Sequence, residues 1–225
     1  MGRVPLLARL EARDRRELLS LGSQVEYRPR TILMHQQEPT THVLCLVGGW
    51  TKVTAIAPNG YEALLALRGP GDVVGEESAI LEHPQAATVT ALETVSAVVV
   101  SGERFRGFMA ERPEVAREVL KLVTEHMRAA DRRRLELSSL HVRERFAALL
   151  LDLARTHGRR TTEGIELAIP LSQQELAGSV GASREMVQRL LRELRDRGAV
   201  VTRRRTLVIE RPDVLRRIAG DALDT

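Results

Sequence analysis

With 225 residues, 43% of them hydrophobic and only 3% aromatic, the chain is long enough for two domains with aliphatic cores, and its net charge is +4. No apolar run approaches a membrane span, and the opening MGRVPLLARLEARDRRELL turns charged too soon for a signal peptide, so a chain without membrane insertion or targeting is expected. The single cysteine, Cys45, excludes an internal disulfide and an iron–sulfur cluster held by several thiolates.

Residues 6–20 read as a short helix marked by Leu6, Leu7, Leu10, Leu18 and Leu19. From about 24 to 102 the pattern changes to short strands: QVEYRP, TILMH, THVLCLVGG, TKVTAIA, EALLALRGPGDVVG, ATVTALE and TVSAVVVS. Pro58-Asn59-Gly60 is a hairpin signal and Gly69-Pro70-Gly71-Asp72 is a further break. Evenly spaced short strands predict a sandwich or small barrel. Cys45, inside VLCLV, is expected in the core, with a redox-sensing thiol as the alternative.

A short helix is predicted over 103–110, and Pro113 opens a long one to about 137. Val115, Val119, Leu122, Val123, Met127, Ala130, Leu135 and Leu137 give it an imperfect apolar stripe. Such a stripe serves either a dimer coiled coil or packing on the strand-rich unit. The run Asp131-Arg132-Arg133-Arg134 is then a solvated face or an interhelix charge pair. A hinge is expected at 138–141, a helix at 142–157 carrying Phe146, Leu149, Leu150 and Leu153, and a surface loop at HGRRTTEG. The chain thus divides into 1–112, 113–140 and 141–225.

Residues 171–197, LSQQELAGSVGASREMVQRLLRELRDR, carry the most information. Ser172 and Glu175 form a capping box that starts one helix, whose apolar face is Leu176, Ala177 and Val180. Gly181 permits a tight turn because it has no Cβ to forbid positive φ. Ser183 caps a second helix, which buries Val187, Leu190, Leu191 and Leu194 and closes at Gly198. The remaining face holds Arg184, Glu185, Gln188, Arg189 and Arg192. Arg donates twice to guanine, Glu accepts from cytosine and Gln pairs with adenine, so a capped two-helix unit presenting these groups is a helix-turn-helix aimed at the major groove. The alternative is a solvated helix in an ordinary bundle. The segment AVVTRRRTLVIE then reads as a hairpin wing with Arg203, Arg204 and Arg205 at its tip, each a phosphate contact or a solvated turn residue.

Charge follows the same division. Residues 1–140 carry 18 basic and 18 acidic side chains, whereas 141–225 carry 16 and 12. Within 181–205 there are eight arginines against three acids, so the positive field lies on this unit, as binding of double-stranded DNA requires.

The string GASREMVQRLLRELRDRGAV resembles the DNA-binding signature of the Crp-Fnr family of bacterial transcription regulators. The resemblance covers about residues 5–215. It implies an α+β fold: an N-terminal cyclic-nucleotide-binding-like β-roll, a long dimerisation helix and a C-terminal winged helix-turn-helix. It also implies a cytoplasmic homodimer reading a palindrome of TGTGA-like half-sites. By motif, Arg184 and Arg189 read guanines and Glu185 the cytosine side of a nearby pair, with Gln188 beside them. Ser183, and Ser172 or Gln173, hold phosphates. In activators of this family the surface loop that corresponds to HGRRTTEG can touch RNA polymerase.

The resemblance further implies a phosphate cassette opened by a Gly-Glu pair. Its Glu meets the ribose, and an Arg-Ser pair with backbone N–H groups holds the cyclic phosphate. Here GEESAILEHPQAATV supplies Gly75, Glu76, Glu77 and Ser78, but Gln85 and Ala86 stand where Arg and Ser are expected. Ala130 and Asp131 stand where a Thr-Ser pair on the long helix meets adenine. The missing charge-assisted bonds are worth on the order of 1.5–3 kcal/mol each, which argues against ordinary cAMP control. Three readings stay open: another nucleotide or cyclic dinucleotide as effector, loss of ligand control, or a haem held among His35, His42, His83 and Cys45. A small-molecule sensor acting mainly through a protein partner is the competing function. No nucleophile–base pair, metal-spaced His or Cys cluster or P-loop is present, so neither an enzyme nor a metal site is expected.

Overall fold

The computed structural model describes residues 4–39, 41–167, 169–203 and 206–220. It divides inside its longest helix into two compact units, Val4–Arg128 and one beginning at Ala129.

The first unit opens with α1 (Leu6–Arg9) and α2 (Ala12–Ser20), followed by β1 (Ser23–Tyr27), β2 (Ile32–Met34), β3 (His42–Gly48), β4 (Thr51–Ile56), β5 (Glu62–Arg68) and β6 (Val73–Val74). After these come α3 (Glu76–Leu81), β7 (Thr88–Ala91), β8 (Val95–Ser101), α4 (Gly102–Glu111) and α5 (Pro113–Ser139), which runs on into the second unit. Two antiparallel sheets form, in the orders β1-β8-β3-β6 and β2-β7-β4-β5.

Strand β3 explains the layering. Side chains alternate across a strand, and HVLCLVG is apolar on both faces. Leu44 and Leu46 point between the sheets with Met34, Val74, Val89, Val95 and Ala97. Val43 and Cys45 point to the other side, onto Leu6, Leu18, Phe105, Phe108 and the first half of α5 through Val115, Val119 and Leu122. The helices thus cover the outer face of the first sheet. This is a β-roll.

Two local expectations are corrected here. The helix over 6–20 is two helices, because Leu10 and Glu11 take extended backbone (ψ 144° and 152°) and Leu10 turns into the core. The stretch EALLALRGPGDVVG divides at the expected break over 69–72 into β5 and the short β6. A six-residue helix, α3, stands in the cassette where no helix was foreseen.

The second unit continues α5 and adds α6 (Val142–His157), β9 (Arg159–Thr161), β10 (Gly164–Leu167), α7 (Gln173–Val180), α8 (Arg184–Asp196), β11 (Val200–Arg203), β12 (Thr206–Ile209) and α9 (Pro212–Ala219). One antiparallel sheet, β11-β12-β10-β9, closes it. Phe146, Leu150, Leu176, Val180, Val187, Leu190, Leu194 and Leu215 are buried. The loop expected at HGRRTTEG is the β9–β10 hairpin, with Gly164 paired to Thr161 and Ile165 to Arg160. Helix α9 was not foreseen, although Pro212 at its first turn is an ordinary helix start. Among the described residues, no helix is long and apolar enough to cross a membrane.

Candidate functional site

The two-helix unit is built as its caps dictate. The Glu175 N–H donates to Ser172 Oγ at 3.2 Å, and Glu175 Oε2 accepts from the Ser172 N–H at 2.7 Å. Gly181 sits in the left-handed region (φ 62°) and ends α7, with the Ala182 N–H returning to the Ala177 carbonyl at 3.1 Å. Ser183 Oγ accepts from the Met186 N–H at 3.2 Å and starts α8. Arg145 fixes the far side of the turn: its Nε donates to the Val180 carbonyl at 3.0 Å and its Nη1 to the Leu140 carbonyl at 2.6 Å.

Helix α8 buries Val187, Leu190, Leu191 and Leu194 and exposes Arg184, Glu185, Gln188, Arg189 and Arg192. Ser183 and Ser172 are also exposed, and Gln173 is half-buried. The structure therefore gathers Ser183, Arg184, Glu185, Gln188 and Arg189 at one end of one helix. Arg189 Nη2 lies 2.9 Å from Met186 Sδ. The Glu185 carboxylate accepts from its own backbone N–H and from Ser183, and both hold it below the usual carboxylate range. It is an ionised acceptor at neutral pH. At the other end of α8 the charges are internal: Glu193 pairs with Arg143 and Arg197, and Arg143 is the main cause of its lowered pKa.

The wing is the hairpin β11–β12, with Arg203 paired to Thr206 across it. Arg203 Nη2 meets Glu163 Oε2 of the β9–β10 turn at 2.6 Å, a partner that sequence spacing did not reveal. Arg204 and Arg205 lie outside the described residues.

In the β-roll, Gly75 has φ 83°, and a Cβ there would stand 2.6 Å from Met34 Cε and 3.1 Å from the His42 carbonyl oxygen. Only glycine fits, and it delivers Glu76 inward at the start of α3. Glu76, Ser78 and Gln85 are buried, whereas Glu77 and Ala86 are exposed. Burial pushes the Glu76 carboxyl up from its ordinary value, against a smaller opposing pull from its own backbone N–H and then from Arg68. His126 of α5 brings Nδ1 to 3.7 Å from Glu76 Oε1. Sequence reasoning missed His126 and looked one turn further along, at Ala130 and Asp131, both of which are exposed. Gln85 ties its segment to the β2–β3 loop: its N–H donates to the Glu38 carbonyl at 3.0 Å, and its carbonyl accepts from Gln37 at 2.8 Å. Its side-chain nitrogen is buried with no hydrogen-bond partner among the described residues.

The residues considered for haem are not drawn together. His35 and His83 are exposed, while His42 and Cys45 sit on opposite faces of β3. Among the described residues no group of three or more His, Cys, Asp or Glu side chains is placed to hold a metal ion.

Comparison with known proteins fits this architecture. Residues 24–112 match the cyclic nucleotide-binding domain family and residues 144–218 the Crp-like helix-turn-helix domain family. The chain is 30% identical over 182 residues, 81% of each chain, to the CRP-like cAMP-activated global transcriptional regulator of Mycobacterium tuberculosis. The fold is shared with FixK2 of Bradyrhizobium japonicum (TM-score 0.78, 24% identity, 88% of this chain and 98% of that one). It is shared equally with the c-di-GMP responsive global regulator CLP of Xanthomonas campestris (TM-score 0.77, 23% identity, 88% and 99%). An N-terminal β-roll with a cyclic-nucleotide-binding pattern, followed by a winged helix-turn-helix, places this chain in the Crp-Fnr family of DNA-binding transcription regulators.

Proposed function

We propose that the protein is a homodimeric, cytoplasmic regulator that reads a palindrome of TGTGA-like half-sites through α8, and that cAMP does not control it in the usual way. The observation that carries the reading is the exposed N-terminal face of α8: Arg184, Glu185, Gln188 and Arg189 beside the Ser183 cap. Arg184 and Arg189 donate to guanines, Glu185 accepts from a cytosine amine, and Ser172, Gln173 and Ser183 hold phosphates. The wing arginines 203–205 add sequence-independent phosphate contacts. Dimerisation runs along α5, where Leu120, Val123 and Met127 are exposed at the three- and four-residue spacing of a helix seam. In activators the β9–β10 hairpin is the surface offered to RNA polymerase. Selection from a pool of randomised duplexes tests the reading. Enrichment of two inverted TGTGA-like half-sites about one helical turn apart supports it. Enrichment of an unrelated or single site contradicts the contact assignment.

The effector part rests on Gln85 and Ala86. Neither supplies the guanidinium and hydroxyl that a cyclic phosphate is held by in the family pattern, so cAMP binds weakly here, which leaves another nucleotide-type effector or loss of ligand control.

A further inference from the structure

The start of α6, the end of α8 and helix α9 border a cleft of about 540 Å³ within the second unit. Arg143 of α6, Arg197 at the close of α8, and Arg211 and Arg217 of α9 line it. Val214, which is buried, and Ile218, which is half-buried, give it an apolar floor. The volume lies in the range of ligand sites, about 300–1,000 Å³.

Three carboxylates stand among the four guanidinium groups. Glu144 is occupied as a helix cap, with Oε2 accepting from the His141 N–H at 2.8 Å. Glu193 pairs with Arg143 and Arg197, and Asp213 with Arg211 and Arg217. One positive charge is left over. The four arginine side chains are 45%, 50%, 53% and 70% exposed, and ion pairs this open contribute little to stability. Among the described residues each guanidinium commits only one or two of its nitrogens to these partners, so the rest of each fork is open to a second anion.

Helix stability does not account for the cluster. Arg143 lies in the first turn of α6 and Arg211 stands at the start of α9, the ends at which a helix dipole disfavours a cation. Side chains that break a local rule without gain to the fold point to function. The reading of bases does not account for it either, since Arg197 closes α8 roughly 20 Å from Arg184 at the other end.

The floor selects the partner. A nucleic-acid backbone brings phosphates and sugars but no aliphatic group to cover Val214 and Ile218. An acidic peptide brings both carboxylates for the guanidinium forks and an apolar side chain between them. We infer that this cleft docks an acidic segment of a partner protein, with carboxylates on Arg211 and Arg217 and an apolar side chain seated on Val214 and Ile218. Asp213 is then the internal competitor that the incoming carboxylate displaces.

Fluorescein-labelled peptides test it on the full chain by anisotropy: Asp-Glu-Leu-Asp-Glu and Asp-Glu-Phe-Asp-Glu, beside Asp-Glu-Ser-Asp-Glu. At least one apolar-centred peptide is expected to bind about fivefold or more tightly than the serine peptide, the worth of burying one aliphatic or aromatic group in part. Arg211→Gln with Arg217→Gln is expected to weaken it about tenfold, with the thermal melt and the affinity for a TGTGA-type palindrome unchanged. Asp213→Asn, which frees both arginines, is expected to strengthen it, an effect in the direction opposite to that of a merely damaged fold. Equal binding of all three peptides, or full competition by millimolar inorganic phosphate, leaves only general anion attraction and overturns the inference. A double variant that weakens palindromic and scrambled duplexes alike assigns the cleft to the DNA backbone and also overturns it. So does the absence of peptide binding up to millimolar concentration.

Discussion

Arg145 holds Val180. The guanidinium of α6 donates to the last carbonyl of α7 at 3.0 Å while its other arm reaches the Leu140 carbonyl at 2.6 Å, so one side chain joins the start of α6 to the helix end from which the recognition turn departs. A helix C-terminus leaves carbonyls without intrahelical partners, and a cation is the favoured group to meet them. Arg145→Met keeps the aliphatic stem and removes both bonds. The expected loss is about 2–3 kcal/mol for the second unit, read by urea denaturation, together with weaker DNA binding at temperatures where the unit is still folded. An unchanged midpoint contradicts the role.

The proposed dimer seam along α5 gives a prediction that does not depend on DNA. Leu120 and Met127 are 67% and 59% exposed, so a charge at Met127 disturbs little packing within the chain. Sedimentation of the wild-type chain is expected to give a dimer, and Met127→Glu a shift toward monomer with its helix content retained. Equal sedimentation of the two proteins contradicts a seam along this face.

Glu76 sets a pH dependence. Burial raises its pKa in the folded chain above the ordinary carboxyl value of 4.5, so folding retains a proton that the unfolded chain releases. The stability owed to this group is fully present below pH 4.5 and falls as pH rises through the folded value. Glu76→Gln mimics the protonated form. In thermal melts the variant is expected to gain on the wild type as pH rises from 5 to 8, with the smallest difference at the acid end. A difference that is flat or of opposite sign contradicts the burial argument.

Cys45 is fully buried on β3 against the helices, and burial pushes its thiol up to about 12. The thiolate is the reactive species. Ellman's reagent is expected to label the native chain slowly and the urea-unfolded chain at once. Rapid native labelling would restore a redox role for this residue.

Much of this was legible in the chain because the signals were local. Capping at Ser172, Glu175 and Ser183, the left-handed Gly181, and the spacing of Val187, Leu190, Leu191 and Leu194 act within a few residues, and the structure keeps each of them. The β-roll strands were readable for the same reason. What was missed depends on contacts far apart in sequence. Leu10 breaks a helix because the core claims its side chain, and HGRRTTEG becomes a hairpin because β12 is there for β10 to pair with. His126 meets Glu76 only once α5 lies along the β-roll, and Arg203 meets Glu163 only once two hairpins share a sheet. Helix α3 is too short for a periodic signal.

The central claim is that α8 reads bases. Fluorescence anisotropy on a duplex with inverted TGTGA half-sites, beside a scrambled duplex of the same composition and at fixed salt, tests it most directly. The wild-type chain is expected to prefer the palindrome, and Arg189→Ala is expected to lose about 1–3 kcal/mol on the palindrome alone, closing the gap to the scrambled duplex. Equal losses on both duplexes, or none on either, would mean that Arg189 reads no base and that the recognition surface lies elsewhere.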